Sequence, residues 1–348
     1  SRFKILGQWE EGPWGADTFK LNFPDVPHPL TSRAWSVAEM RGRPNVVYAN
    51  PPCACWSVIG AKLGDTDPRF AHTLTSFNLA LALEPEIFVI ESVCRAWSES
   101  SSGGRAAYTE LARQAGEAGY QVTILMTNGI LHGSPQSRER FHFIAHLPDL
   151  TLPLPSVFPP FPTVRQVIGD LAGSFTYADE GPVTVPNHIL LRRPRSRYQT
   201  VIDAIREGEG WNDAHTRLMA EGVTDIARGR IISHRPVADL PSGTVVDVGA
   251  LVHPWESRMM TVREGARLCG YPDDFIFAPS SDRDYGARAS DVTQAVLPSM
   301  GAYLARAFAM SLDNYSSQRG ELEVIDWRRE AREPLREAKA AWKLTSAG

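Results

Sequence analysis

The chain has 348 residues, of which 43% are hydrophobic and 22% charged, and a formal net charge of −4. These values point to a soluble globular protein of one large domain or two, and exclude a polycationic or low-complexity chain; the apolar runs are too short for a membrane span. Cys53, Cys55, Cys94 and Cys269 do not space as a disulfide framework and no secretory leader opens the chain, so a cytoplasmic setting is expected.

In chain order, Phe3 to Leu6 reads as a strand and Ala16 to Leu21 as a helix. Asn45 to Tyr48 is a strand, Thr73 to Leu83 is apolar at helical spacing, and Glu86 to Ile90 is a strand. Arg105 to Ala118 is a helix stopped by Gly119, followed by strands at Gln121 to Met126 and Phe141 to Ala145. Strands alternating with helices predict an α/β chain with a parallel, doubly wound sheet, in which ligands gather beyond the carboxyl ends of the strands. Pro148 to Pro162 is rich in proline and reads as a linker. Short strands and frequent polar residues then suggest a smaller domain. Helical periodicity returns at Thr261 to Leu268 and Val296 to Met310, and Glu321 to Trp342 has the charge pattern of an exposed helix. The expected division is 1–160 and 258–312 for the main domain, 161–257 for the smaller one and 313–348 for a charged tail.

The first strand delivers Pro51-Pro52-Cys53, a cysteine on a turn stiffened by proline. Alone, this motif more commonly marks a structural core thiol. Cys53-Ala54-Cys55 resembles half a metal site, but no Cys/His pair at ligand spacing completes it, so no metal is expected. Glu91 follows the next strand, and Arg138 and Arg140 follow later. A thiolate, a carboxyl group and paired guanidiniums are the groups needed to make carbon 5 of a pyrimidine nucleophilic. Thiolate addition at carbon 6 turns the ring into an enamine, the carboxyl group stabilises charge at ring nitrogen 3, and the arginines hold a carbonyl and a phosphate. Two basic stretches add the footprint of a polyanion partner: Arg192, Arg193, Arg195, Arg197 and Arg206, then Arg228, Arg230, His234 and Arg235.

With Asn50 to Ser57, Asp67-Pro68-Arg69, Phe88 to Val93, Gly133 to Arg140 and Thr261 to Phe275 in this order, the chain resembles the DNA (cytosine-5) methyltransferase family. The resemblance implies a Rossmann-like, mostly parallel sheet with a smaller inserted target-recognition domain at 161–257. It implies Cys53 as nucleophile, Glu91 at the cytosine edge, and Arg138 and Arg140 positioning a base flipped out of double-stranded DNA. Trp56, Ser57 and Arg69 would lie in the loop that closes over DNA, and Arg192, Arg193, Arg195, Arg197, Arg228 and Arg230 would add DNA-binding charge. Gln136 and the Thr261 to Phe275 segment would be architectural. S-adenosylmethionine would sit on Glu10, Glu11, Pro52, Leu74, Gln294 and Val296. A bacterial or phage-infected cell is the implied setting.

The departures fall on the donor side. The family's opening Phe-x-Gly-x-Gly turn is not found ahead of Glu10, and its late Gly-Asn pair is Thr293-Gln294 here. Glu-Asn-Val is Glu91-Ser92-Val93, which keeps the acid, and Ala54 replaces a usual glutamine. Three explanations stay open: an S-adenosylmethionine enzyme whose cofactor site is completed by a further segment or a second chain; the same thiolate chemistry with methylene-tetrahydrofolate, giving 5-hydroxymethylcytosine; or an inactive DNA-binding homologue.

Overall fold

A computed structural model describes residues 3–10, 13–27, 43–56, 63–99, 104–155, 159–177, 185–190, 193–228, 233–278, 292–313 and 322–346. Helix α1 (Pro13–Asn22) precedes strand β1 (Val46–Ala49); α2 (Phe70–Leu83), β2 (Ile87–Ser92), α3 (Gly104–Glu117), β3 (Gln121–Asn128) and β4 (Glu139–His146) follow. The smaller region holds α4 (Val164–Ile168), β5 (Thr176–Tyr177), β6 (Ile189–Leu190), α5 (Ser196–Ala204) and α6 (Trp211–Ala220). The chain returns through α7 (Val262–Leu268) and α8 (Pro298–Ser311), then ends in β7 (Glu323–Asp326) and α9 (Arg328–Ser346).

Five strands form one sheet in the order β1-β2-β4-β3-β7. β1 runs parallel to β2, with Ala49 opposite Ile90, and β3 runs parallel to β7. β4 is antiparallel to both of its neighbours, with Glu91 opposite His142 and Met126 opposite Phe141. The sheet is thus mostly parallel, as read from the sequence, with β4 as the exception. The reason is length: only residues 129–138 join β3 to β4, whereas a parallel crossover needs about a dozen residues or more.

β2 is buried along its whole length, as a strand covered on both faces must be. On one face Phe88, Ile90, Phe141 and Phe143 pack beneath Phe77 of α2 and Tyr108 of α3. On the other, Ile87, Val89, Leu125 and Ile144 meet Tyr303, Leu304 and Phe308 of α8. The smaller region has its own core of Val201, Ile202, Trp211, Ala214 and Leu218. α7 packs with α4 through Val164, Ile168, Val262 and Ala266.

Two expectations need correcting. Phe3 to Leu6 forms no strand; Phe3 packs loosely against the α8 side of the sheet. The tail is not a single exposed helix. Glu323–Asp326 pairs with the edge of β3, and Ala331 of α9 is fully buried beside Ile130, Leu131 and Phe161. Val324 and Ile325 are β-branched and flanked by acids, which suits an edge strand better than a helix. Among the described residues no helix is long and apolar enough to cross a membrane.

Candidate active site

β1 ends at Ala49, and Asn50-Pro51-Pro52 leads into one tight helical turn, Cys53–Cys55, closed by Trp56 N–H donating to the Cys53 carbonyl at 3.0 Å. The turn is anchored from below. Trp56 is 1% exposed and meets the Phe70 ring edge-on at 5.6 Å and Tyr108 at 6.4 Å. Trp56 is therefore not a surface residue that closes over DNA, as the resemblance implied; its indole holds the cysteine turn onto the core. Cys53 remains half-buried. Burial pushes its thiol up, Arg140 opposes this, Glu91 adds to it, and Arg138 opposes it more weakly.

Glu91 sits near the end of β2 and is 3% exposed. Arg140, diagonally across on β4, places Nε 2.7 Å from Glu91 Oε1. Burial raises the Glu91 carboxyl, while Arg140 and then Arg138 hold it down. An acid with these opposed influences beside a thiol suits proton-linked chemistry on a ring edge.

Arg138 is tied into the structure. It is buried, and its guanidinium donates to the Thr293 carbonyl at 2.6 Å and the Val245 carbonyl at 3.3 Å. Burial and Arg140 pull it down to about 10. Through these two nitrogens it struts the start of β4 to the returning chain, while its Nε is left without a partner among the described residues and the residue lines the same cavity as Arg140. Gln136 is architectural too, receiving Val245 N–H at 2.9 Å and donating to the Leu268 carbonyl at 3.2 Å.

Cys53, Glu91, Arg138 and Arg140 line one cavity of about 2190 Å³, which also reaches Pro52, Gln294, Val296 and Glu10. At the Glu10 end the walls include Phe19 and Phe23, whose rings lie 5.0 Å apart. A methyl at Gly15 would stand 3.1 Å from the Glu10 carboxylate, so that group lies close against the bare backbone of α1. A carboxylate beside aromatic rings suits a ligand with a diol and a flat heterocycle. Leu74 is not part of this wall. α2 turns His72, Ser76, Leu79 and Leu83 to the cavity, and Leu74 lies on the opposite side, 40% exposed.

Glu11, Ser57, Arg192 and Arg230 lie outside the described residues. Arg69 is engaged in a two-point pair with Asp67, at 2.8 and 2.6 Å. Arg193 stacks over Tyr177 at 4.0 Å, and Arg195, Arg197 and Arg228 are exposed. Arg235 is buried, donating to the Ile202 carbonyl at 2.8 Å, so it does not belong to a basic surface. Two cavity residues escape a reading of the sequence. Tyr48 gives no signal beyond strand periodicity, and Arg328 arrives from the remote tail. Among the described residues no three His, Cys, Asp or Glu side chains gather as a metal site.

Residues 1–308 match the profile of the family described as C-5 cytosine-specific DNA methylase. The Type II methyltransferase M1.HphI of Haemophilus parahaemolyticus is 30% identical over 322 residues, covering 88% of this chain and 80% of the relative. M.DdeI of Desulfomicrobium norvegicum, also a Type II methyltransferase, is 24% identical over 88% of this chain and 83% of its own length. Two solved structures share the fold at low identity. A prophage-encoded E. coli protein described as a DNA modification methyltransferase gives a TM-score of 0.61 at 18% identity, covering 90% of this chain and 94% of its own. The Entamoeba histolytica methyltransferase EhMeth gives 0.56 at 13%, covering 88% and 90%. Motif order, fold and a match over most of the length agree, and the chain belongs to the C-5 cytosine-specific DNA methylase family.

Proposed function

We propose that this methyltransferase acts on a cytosine turned out of a DNA duplex, through a covalent bond between Cys53 Sγ and ring carbon 6. What supports this reading is the convergence of Cys53, Glu91 and Arg140 on one cavity, with the Glu91–Arg140 ion pair at 2.7 Å. The Cys53 thiolate adds to carbon 6, and the ring electrons move to carbon 5. A protonated Glu91, favoured by its burial, donates to ring nitrogen 3 as charge builds there. Arg140 holds the carboxyl group in place and presents its remaining N–H groups to the base carbonyl. After alkylation, carbon 5 gives up its proton to a base, the C6–S bond breaks, and Cys53 leaves as thiolate. Base extrusion is what brings carbon 6 to a half-buried sulfur.

S-adenosylmethionine, when bound, supplies an electrophilic methyl group. Its ribose suits the Glu10 carboxylate, its adenine the Phe19 and Phe23 rings, and Pro52, Gln294 and Val296 wall the path toward Cys53. The relatives are named as methyltransferases, so the methylene-tetrahydrofolate and inactive readings have no comparable support. The 161–257 region carries the exposed Arg193, Arg195, Arg197 and Arg228, in keeping with a target-recognition role. The four cysteines are free thiols, which suits a reducing cytoplasm.

Nucleoside mass spectrometry of duplex DNA incubated with the protein tests the reading, with each donor supplied separately. 5-Methylcytosine with S-adenosylmethionine is expected. 5-Hydroxymethylcytosine formed only with methylene-tetrahydrofolate would overturn the donor assignment, and no modified base with either would overturn the activity.

A further inference from the structure

Helix α9 lies beyond the family match, which ends at residue 308. It is bound into the molecule at both ends. Near its start Ala331 is buried beside Ile130, Leu131 and Phe161, and Arg332 clamps Glu139 through two contacts, one of 2.7 Å. Near its end the Trp342 ring stands 3.2 Å from where a methyl on Gly208 would sit, with Val237 at 3.3 Å from the same point. α9 thus runs from the rim of the catalytic cavity to the smaller region. Its 19 residues span about 28 Å.

The helix sorts its side chains into three stripes. Ala331, Leu335, Ala338 and Trp342 face the protein. Glu330, Glu333 and Glu337 occupy one flank, all exposed. Arg328, Arg332, Arg336, Lys339 and Lys343 occupy the other at steps of four or three, which keeps them on one line along the helix. Arg328 itself lines the catalytic cavity, and Arg332 grips Glu139, which lines it too. The position of these two fixes which way the basic stripe faces. Arg336, Lys339 and Lys343 continue it, exposed, toward the smaller region.

We infer that the basic stripe of α9 is a second DNA-contacting surface, which holds the phosphate backbone flanking the extruded base while the catalytic cavity holds the base itself. Arg336 to Lys343 extends the stripe about 17 Å beyond Arg332, a length along which one strand of duplex presents about five phosphates. Arg336, Lys339 and Lys343 are exposed along this stretch and carry the contact. The inference rests on the duplex-DNA reading above and adds a surface that the family match does not include.

The test is the triple variant Arg336→Gln, Lys339→Gln, Lys343→Gln in the full chain. Its duplex affinity is measured against salt concentration, and its methyl transfer against duplex concentration. Each lost phosphate contact flattens the slope of log K against log salt by about 0.9, so a slope shallower by about 2.7 is expected. KM for duplex should rise by about tenfold, with kcat at saturating duplex unchanged. The variant Glu330→Gln, Glu333→Gln, Glu337→Gln separates a local contact from net charge: its slope should match the wild type. Wild-type slope and KM in the basic triple variant would overturn the inference, as would an opposite slope change of equal size in the acidic one. Wild-type protein that makes no 5-methylcytosine would instead sink the underlying reading.

Discussion

At Cys53 two influences compete, and burial wins: the thiol lies above its ordinary range despite Arg140. Only the thiolate adds to carbon 6, so kcat/KM should climb with pH through neutrality and level off only on the alkaline side. Arg140 is the largest opposing influence. Arg140→Gln should move that limb to higher pH, with each unit of displacement costing tenfold in thiolate at neutral pH. A limb that stays put in the pH profile of Arg140→Gln would refute the assignment. Arg138 makes the opposite case. Its two terminal nitrogens donate to the carbonyls of Val245 and Thr293, and a buried acceptor left bare costs about 1–3 kcal/mol. Arg138→Ala should therefore lose at least about 2 kcal/mol in urea denaturation, and the loss of activity should follow from that. Unchanged stability with lost activity would restore Arg138 to the chemistry. Both residues announce themselves in the sequence as arginines two positions apart. What neither announces is its partner, because the partners come from β2 and from residues 245 and 293.

At the scale of the element, α7 is set by a capping box and a close approach. Thr261 and Glu264 exchange backbone hydrogen bonds, Thr261 N–H to Glu264 Oε2 at 2.8 Å and Glu264 N–H to Thr261 Oγ1 at 3.1 Å. Arg258 donates to both Glu264 oxygens, at 2.9 and 2.7 Å, and holds that carboxyl well below the ordinary range. A carboxyl depressed in the fold stabilises it above the ordinary value of 4.5 and ceases to do so as pH falls toward the depressed value. Glu264→Gln should therefore flatten the acid limb of stability against pH, read by denaturation at successive pH values; an unaltered limb would count against this source of stability. Gly265 sits where a methyl would lie 2.3 Å from Val248 Cγ2. Alanine normally gains up to about 1 kcal/mol over glycine inside a helix, but overpacking costs about 1–3 kcal/mol, and a stiff, fully buried valine cannot yield. Gly265→Ala should lower the denaturation midpoint, and Val248→Ala in the same chain should recover part of it; no recovery would exclude the clash. The existence of the central helices and strands was legible from periodicity, and Gly119 marked the stop of α3. The direction of β4 became clear only through the shortness of its connection.

For the whole molecule, the cavity joins two chemistries, a thiol–acid–guanidinium end and a carboxylate–aromatic end, beside β1 and the adjoining ends of β2 and β4. A ligand that binds only the folded protein stabilises it by mass action, about 2.7 kcal/mol at a hundredfold excess over Kd. S-adenosylhomocysteine, which shares the adenosine portion, should raise Tm in the wild type. Glu10→Ala should abolish that rise and leave the rise produced by duplex DNA intact. A Glu10→Ala protein that keeps the full nucleoside effect would place the cofactor elsewhere. The tail contributes at this scale alone, since β7 and α9 join the sheet edge, the cavity rim and the smaller region.

The sequence by itself determined the order of the motifs, the alternating strands and helices, and the nature of the reacting groups. Those properties are local: a proline-stiffened turn, a hydrophobic period and a side chain's chemistry need no distant partner. The tertiary structure alone decided that Trp56 is an anchor, Arg138 a strut, Leu74 a bystander and the tail a strand with a bracing helix. Each outcome depends on which remote surface a side chain meets, and burial and pairing are set by the packed molecule, not by the neighbouring residues in the chain.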